Sequence, residues 1–139
     1  MKFTIHSAQK TKDKNFLKAE AEYLERMSGH SIEFTEYKDN KALFAGIKNN
    51  TCILVLDERG DGVTSEEFAK YLEEQTIRGH SSFNFIIGGP YGLDKEVKER
   101  AHRCLALSKL TFTYQMTRLI LVEQLYRALM ILKGAPYHK

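Results

Sequence analysis

Cysteine is scarce in this sequence, with only Cys52 and Cys104 among 139 residues. The two stand in separate apolar stretches, without CxxC spacing or a nearby histidine cluster. That pattern argues against zinc and against a structural disulfide, and it points to two reduced thiols packed in a core. No metal is expected. Long apolar runs are also missing. The opening Met1-Lys2-Phe3-Thr4-Ile5-His6-Ser7 turns polar too soon to be the core of a signal peptide, and nothing later approaches the ~18 consecutive apolar residues of a membrane span. A soluble, cytoplasmic protein without a membrane partner is the expectation. Nor is there a large excess of one charge: 21 basic and 18 acidic residues leave a net +3, which permits an RNA partner without requiring one.

Several catalytic signatures are absent as well. Neither G-x-G-x-x-G nor G-x-x-x-x-G-K-[ST] occurs, so dinucleotide and nucleoside-triphosphate sites lack support. H-E-x-x-H and G-x-S-x-G are missing too.

What the chain does have is a globular composition, 42% hydrophobic and 28% charged, in a length suited to one domain over residues 1–139. Residues 1–7 and 31–37 alternate apolar and polar side chains and read as outer strands. Residues 51–56 and 83–87 are nearly continuous apolar runs and read as central parallel strands. Helical spacing covers residues 15–27 and 65–77, the second opened by a capping box at Thr64-Ser65-Glu66-Glu67. A shorter helix over 93–101, a strand near 103–107 and a long helix over 114–132 follow, the last closed by Gly134 and Pro136. Residues 38–50 are too weakly patterned to assign. Strands alternating with helices imply an open α/β fold with a mostly parallel sheet.

The long helix is apolar on two sides. Met116, Leu119, Ile120, Met130 and Ile131 share one face, and Leu121, Val122, Leu125, Ala128, Leu129 and Leu132 the opposite one. A sheet covers one face; the other needs a partner, most simply a second copy in a homodimer. Glu123 and Arg127 sit one turn apart and should pair, either as a structural ion pair at that contact or as working groups.

A glycine-rich turn, Gly88-Gly89-Pro90-Tyr91-Gly92, follows the strand ending at Ile87. That is where open α/β sheets bind ligands, and glycine lets backbone approach closely while Pro90 stiffens the turn. Asp57-Glu58 after the other central strand reads as a solvated turn or as a carboxylate pair. Two basic groups, Lys10, Lys12, Lys14 and Lys18, then Lys95, Lys98, Arg100 and Arg103, could each be a solvated face or meet phosphates.

Four blocks in fixed order carry a family resemblance. They are Leu56-Asp57-Glu58-Arg59-Gly60 with Ser65-Glu66-Glu67-Phe68-Ala69; Ile87 through Gly92; Leu105-Ala106-Leu107-Ser108-Lys109-Leu110-Thr111; and Arg118 through Leu121, Glu123 through Ala128 and Pro136-Tyr137-His138-Lys139. Together they resemble the RlmH family of SPOUT methyltransferases. The resemblance implies an α/β fold with a C-terminal trefoil knot, an exception among folds, and a homodimer with two cofactor pockets near the interface. It implies S-adenosylmethionine held by Leu56, Gly88, Leu107, Ser108, Lys109, Leu110, Thr111 and Phe112. It further implies a composite active site of Glu123, Arg127, Tyr137 and His138 completed by the partner subunit. Thr113-Tyr114 stands where the family often has Pro-His or Ser-His. The implied reaction is N3 methylation of a pseudouridine in the assembled ribosome, the 23S rRNA pseudouridine-1915 N3-methyltransferase activity. A knotted transfer-RNA methyltransferase and a non-catalytic RNA-binding or ribosome-associated module are the alternatives.

Overall fold

The two continuous apolar segments lie inside a sheet buried on both faces, as their composition requires. In the computed structural model, residues 1–89 and 91–138 are described; Pro90, expected to stiffen the glycine turn, and Lys139, the end of the tail, lie outside the described residues. Strands and helices alternate: β1 (Lys2–Ser7), α1 (Lys14–Leu24), β2 (Ser31–Glu36), α2 (Asn40–Gly46), β3 (Cys52–Gly62), α3 (Ser65–Ile77), β4 (Ser82–Ile87), α4 (Lys95–Arg100), β5 (Arg103–Ala106) and α5 (Tyr114–Lys133). The sheet order is β2-β1-β4-β3-β5, and every pairing is parallel.

Successive strand residues point to opposite faces, and here both faces are covered. Phe3, Ile5, Cys52, Leu54, Phe83 and Phe85 pack with Phe68 and Leu72 of α3 and Leu121 and Leu125 of α5. Ile53, Val55 and Ile86 pack on the other side with Leu43 of α2 and Val97 of α4. Cys52 and Cys104 are free thiols, and burial raises the pKa of both.

Two strand expectations need correction. The alternating β1 is not an outer strand but lies between β2 and β4. Its polar His6 is 5% exposed because both ring nitrogens find partners, Nδ1 with the Tyr37 hydroxyl at 2.9 Å and Nε2 with Asn84 Oδ1 at 2.7 Å. Polarity was satisfied internally and so did not mark a solvent face. β3 likewise does not end before Asp57. β5 pairs Leu105 with Leu56 and again with Asp61, so residues 57–60 bulge out of a strand that continues to Gly62. Glycine is needed at Gly60, where a Cβ would lie 2.7 Å from the Cys104 carbonyl carbon.

The unassigned connection contains α2, whose N-cap Asp39 accepts from the Ala42 amide at 2.8 Å. The Thr64–Glu67 capping box is formed, and α5 ends at Gly134 with φ +75°. The apolar stripe of α5 through Leu121, Val122, Leu125, Ala128 and Leu129 is buried. On the opposite stripe Leu119, Ile120, Met130 and Ile131 are only half-buried, and Met116 is exposed. Among the described residues no helix is long and apolar enough to cross a membrane.

Candidate functional site

The carboxyl ends of β3 and β4 open onto a cavity of about 820 Å³, large enough for a nucleoside-sized ligand. Leu56 and the bulged Asp57, Glu58 and Arg59 form one side, and Ile87, Gly88 and Gly89 the floor. The segment after β5 contributes Leu107, Ser108, Leu110, Thr111 and Phe112, and the start of α5 adds Tyr114 and Thr117. Of the residues expected to hold a cofactor, Leu56, Gly88, Leu107, Ser108, Leu110, Thr111 and Phe112 thus converge; Lys109 does not line the cavity.

The glycine turn is held by its own contacts and by one residue that sequence inspection missed. Asn40, the first residue of α2, accepts from the Gly89 amide at 3.2 Å and donates Nδ2–H to the Gly92 carbonyl at 2.7 Å. Gly92 takes φ +79°, a left-handed conformation that glycine adopts without penalty. At Gly88 an added Cβ would sit 2.7 Å from Leu93 Cγ and 2.9 Å from the Gly92 carbonyl carbon. The space beside Gly88 is therefore already used by the loop's own packing, a reason for glycine beyond the expected approach of a ligand. Asn40 stands in the segment too weakly patterned to assign, so no periodicity could have flagged it.

The bulge is structured rather than a freely solvated turn. Lys98 Nζ lies 2.7 Å from Asp57 Oδ2, and Asp57 Oδ1 accepts from the Arg59 amide at 2.9 Å. The Lys98 hydrogen bond, then the Arg59 amide, hold the Asp57 carboxyl below its ordinary pKa. Glu58 accepts from the Thr111 hydroxyl, tying the bulge to the facing wall, while within that wall the Ser108 hydroxyl accepts from the Leu110 amide at 3.0 Å. Thr113 caps α5 by accepting from the Met116 amide, and Tyr114 donates its hydroxyl to the Lys10 carbonyl at 2.5 Å.

The four residues expected to be catalytic form a second cluster. Arg127 donates to Glu123 Oε1 through Nη2 at 2.6 Å and Nε at 3.0 Å, and Tyr137 donates to the same oxygen at 3.1 Å. The Tyr137 ring meets Tyr126 edge-on at 4.8 Å and lies under the Arg127 guanidinium at 4.9 Å, so the tail is docked as far as His138. Burial, then the bond to Glu123, push the Tyr137 phenol up to about 12. It is a neutral donor, not a base, at neutral pH.

His138 bridges two helices. Arg127 Nη1 lies 3.0 Å from Nδ1 and Glu66 Oε1 2.7 Å from Nε2. A guanidinium only donates, so Nδ1 must be the acceptor and Nε2 carries the proton toward Glu66. Glu66, which lies in one of the resembling blocks, orients the histidine.

Within one chain the cavity and this cluster are not brought together. α5 rises ~15 Å between Thr117 and Arg127. Ser65 and Gln124 bridge part of the gap, with Ser65 Oγ donating to Gln124 Oε1 at 2.7 Å and Gln124 Nε2 donating to Glu123 Oε2 at 2.7 Å. Both line a smaller cavity of about 170 Å³ that shares Leu56 and Leu107 with the larger one.

Known proteins match this chain along most or all of its length. The chain is 40% identical to the ribosomal RNA large subunit methyltransferase H of Streptococcus thermophilus and 36% identical to that of Clostridium perfringens, with all of both chains covered. It is 45% identical to that of Halothermothrix orenii over 81% of this chain and 70% of the relative. The family described as "Predicted SPOUT methyltransferase" matches residues 1–138. A parallel α/β sheet with a loop-walled cavity at its carboxyl edge, matched over its length by that family, makes this chain a member of the SPOUT methyltransferases.

Proposed function

We propose that the protein methylates N3 of a pseudouridine in 23S rRNA, the pseudouridine-1915 N3-methyltransferase reaction, on the assembled ribosome and with S-adenosylmethionine as methyl donor. The observation that carries this reading is the cavity, whose wall includes Leu56, Gly88, Leu107, Ser108, Leu110, Thr111 and Phe112, all but Lys109 of the residues that the resemblance assigns to the cofactor. The printed names of the relatives, ribosomal RNA large subunit methyltransferase H, support the substrate class. The cavity suits the donor: apolar Leu56, Leu107 and Phe112 can flank an adenine, and loop amides and hydroxyls can meet its polar groups. When bound there, the sulfonium group supplies an activated methyl for displacement by a ring nitrogen.

The chain's residues must then orient the target nitrogen and remove its proton. Tyr137 offers an aromatic face for the base. His138 is the proton acceptor, but Nδ1 is occupied by Arg127. Were Arg127 to turn to an anion such as an RNA phosphate or the donor's carboxylate, that lone pair would be free, while Glu66 would hold Nε2–H and stabilise the imidazolium. Glu123 positions Arg127 in either arrangement.

The reading includes a homodimer and a C-terminal trefoil knot. The half-buried stripe of Leu119, Ile120, Met130 and Ile131 supports a subunit contact. So does the separation of cavity and tail cluster, which a partner's tail would close. The decisive experiment supplies labelled S-adenosylmethionine with ribosomes lacking the modification, ribosomal RNA alone or transfer RNA. Label at a pseudouridine N3 of 23S rRNA is the expected result. Label only in transfer RNA replaces the substrate, and binding without transfer replaces the activity.

A further inference from the structure

The two basic groups of the sequence prove to be physically different. In the second group, Lys95 lies 3.6 Å from Glu99, Lys98 2.7 Å from Asp57 and Arg103 3.5 Å from Asp61. Arg100 donates to the Phe44 and Ile47 carbonyls at 3.2 and 3.0 Å. Each of the four thus has a partner, a carboxylate for Lys95, Lys98 and Arg103 and backbone carbonyls for Arg100. Lys10, Lys12, Lys14 and Lys18 are all exposed, and none makes an ion pair among the described residues. Removing these four lysines and Asp13 from the 21 basic and 18 acidic residues leaves equal numbers of each sign. The protein's net positive charge thus amounts to what this one segment contributes.

The segment is also held in place. The Tyr114 hydroxyl, on the cavity wall, fastens the Lys10 carbonyl at 2.5 Å. The Thr11 amide donates to Glu36 Oε2 at 2.6 Å, and Thr11 is 7% exposed. Thr11 turned inward leaves Lys10 and Lys12 on the surface, and neighbouring Gln9 lines the cavity. α1 then starts at Lys14 with no acidic residue in its first turn. The Asp13 carboxylate caps this helix end, accepting from the Asn15 amide at 2.8 Å, so the lysine ammonium groups, and not the helix terminus, are what the segment offers to an anion.

Resting on the reading as a ribosomal RNA methyltransferase, we propose that residues 10–18 clamp the RNA phosphate backbone at the mouth of the cavity, with Lys10, Lys12, Lys14 and Lys18 as the phosphate contacts. Their compact ammonium groups suit repeated phosphates without reading base identity. Tyr114 has a positioning role, coupling the clamp to the cavity wall.

The test replaces all four lysines by glutamine and measures binding to ribosomes and transfer to 23S rRNA across a salt series. Four lost contacts should make the slope of log affinity against log salt shallower by about 3. KM for ribosomes should rise roughly ten-fold or more at physiological salt, while kcat at saturation and affinity for S-adenosylmethionine stay unchanged. These side chains are exposed, so the unfolding midpoint should hold or rise. A control with Lys70→Gln and Lys95→Gln should keep the parent slope. An unaltered slope in the four-lysine variant, or an equal loss in the control, overturns the clamp. If the parent protein transfers nothing to 23S rRNA, the underlying reading fails and the clamp loses its partner. If the parent transfers normally and the variant does too at every salt concentration, the clamp alone fails.

Discussion

Helix α5 carries two arginine–carboxylate pairs, one toward each end, and their surroundings differ. Near its start Arg118 pairs with Glu20 at 2.7 Å, with side chains 5% and 3% exposed. Near its end Arg127 pairs with Glu123 at 2.6 Å, with side chains 23% and 19% exposed. Arg118 is closed off: it also reaches Glu36 at 3.4 Å and stacks on Phe34 at 3.9 Å, joining α1, β2 and α5. Arg127 instead meets Tyr137 and His138 of the docked tail, partners that can be exchanged. A buried pair is held by the desolvation cost of separating it, whereas a pair that water reaches can release its cation to a new anion. The first belongs to the fold and the second is available to chemistry.

The largest effect should come from Arg118→Ala, which strands the Glu20 carboxylate in the core and should cost about 3–5 kcal/mol. Urea denaturation measures it, and pairing Arg118→Met with Glu20→Leu should restore most of the loss. A cost below ~1 kcal/mol for the single change would erase the contrast with Arg127, whose replacement by alanine should cost no more than ~1 kcal/mol.

Activity should divide the other way. Deleting residues 137–139 should lower methyl transfer about 100-fold or more, with cofactor affinity and dimerisation kept. Arg118→Met/Glu20→Leu should leave transfer within a few-fold of the parent. Single-turnover assays distinguish the two, and near-normal transfer by the truncated protein would return the tail to a purely structural role.

A smaller effect tests the cavity end of the comparison. Asn40→Ala removes both hydrogen bonds to the glycine turn, at roughly 1 kcal/mol each, so stability should fall by no more than about 2 kcal/mol and affinity for S-adenosylmethionine should fall several-fold by calorimetry. Unchanged affinity would show that the turn keeps its shape without Asn40.

The smallest effect concerns pH. Burial, only partly offset by the Asn84 hydrogen bond, holds the His6 imidazole below its usual 6.5. The unfolded chain therefore takes up this proton at higher pH than the folded one, and the stability tied to neutral His6 is full above about pH 6.5 and declines as pH falls toward the folded value. Midpoints measured downward from pH 7 should drop more steeply for the parent than for His6→Gln. Parallel curves would mean that the buried histidine protonates without penalty.

Local patterns in the sequence were enough for the helices that bury one stripe. The spacing of Leu121, Val122, Leu125 and Leu129 and the Thr64–Glu67 box act within a few residues of themselves, and their outcome barely depends on the rest of the chain. The glycine turn after β4 was legible for the same reason, as were the blocks that line the cavity. The edge position expected for β1 failed at His6, since a polar side chain looks identical in sequence whether water or Asn84 and Tyr37 will receive its hydrogen bonds. Asn40 was invisible because its partners lie about fifty residues away, at Gly89 and Gly92.

By itself, then, the sequence determined the alternation of strands and helices, the doubly buried strands, the two-sided last helix and the resemblance in its C-terminal blocks. These follow from periodicity and backbone preference. Only the tertiary structure decided which arginine is sealed against Glu20 and which is left beside the tail, which lysines are neutralised and which stay free, and which nitrogen of His138 carries the proton. Charge and hydrogen-bond capacity are written in the residue, but their satisfaction depends on what the fold brings within about 3 Å, and no local pattern encodes that.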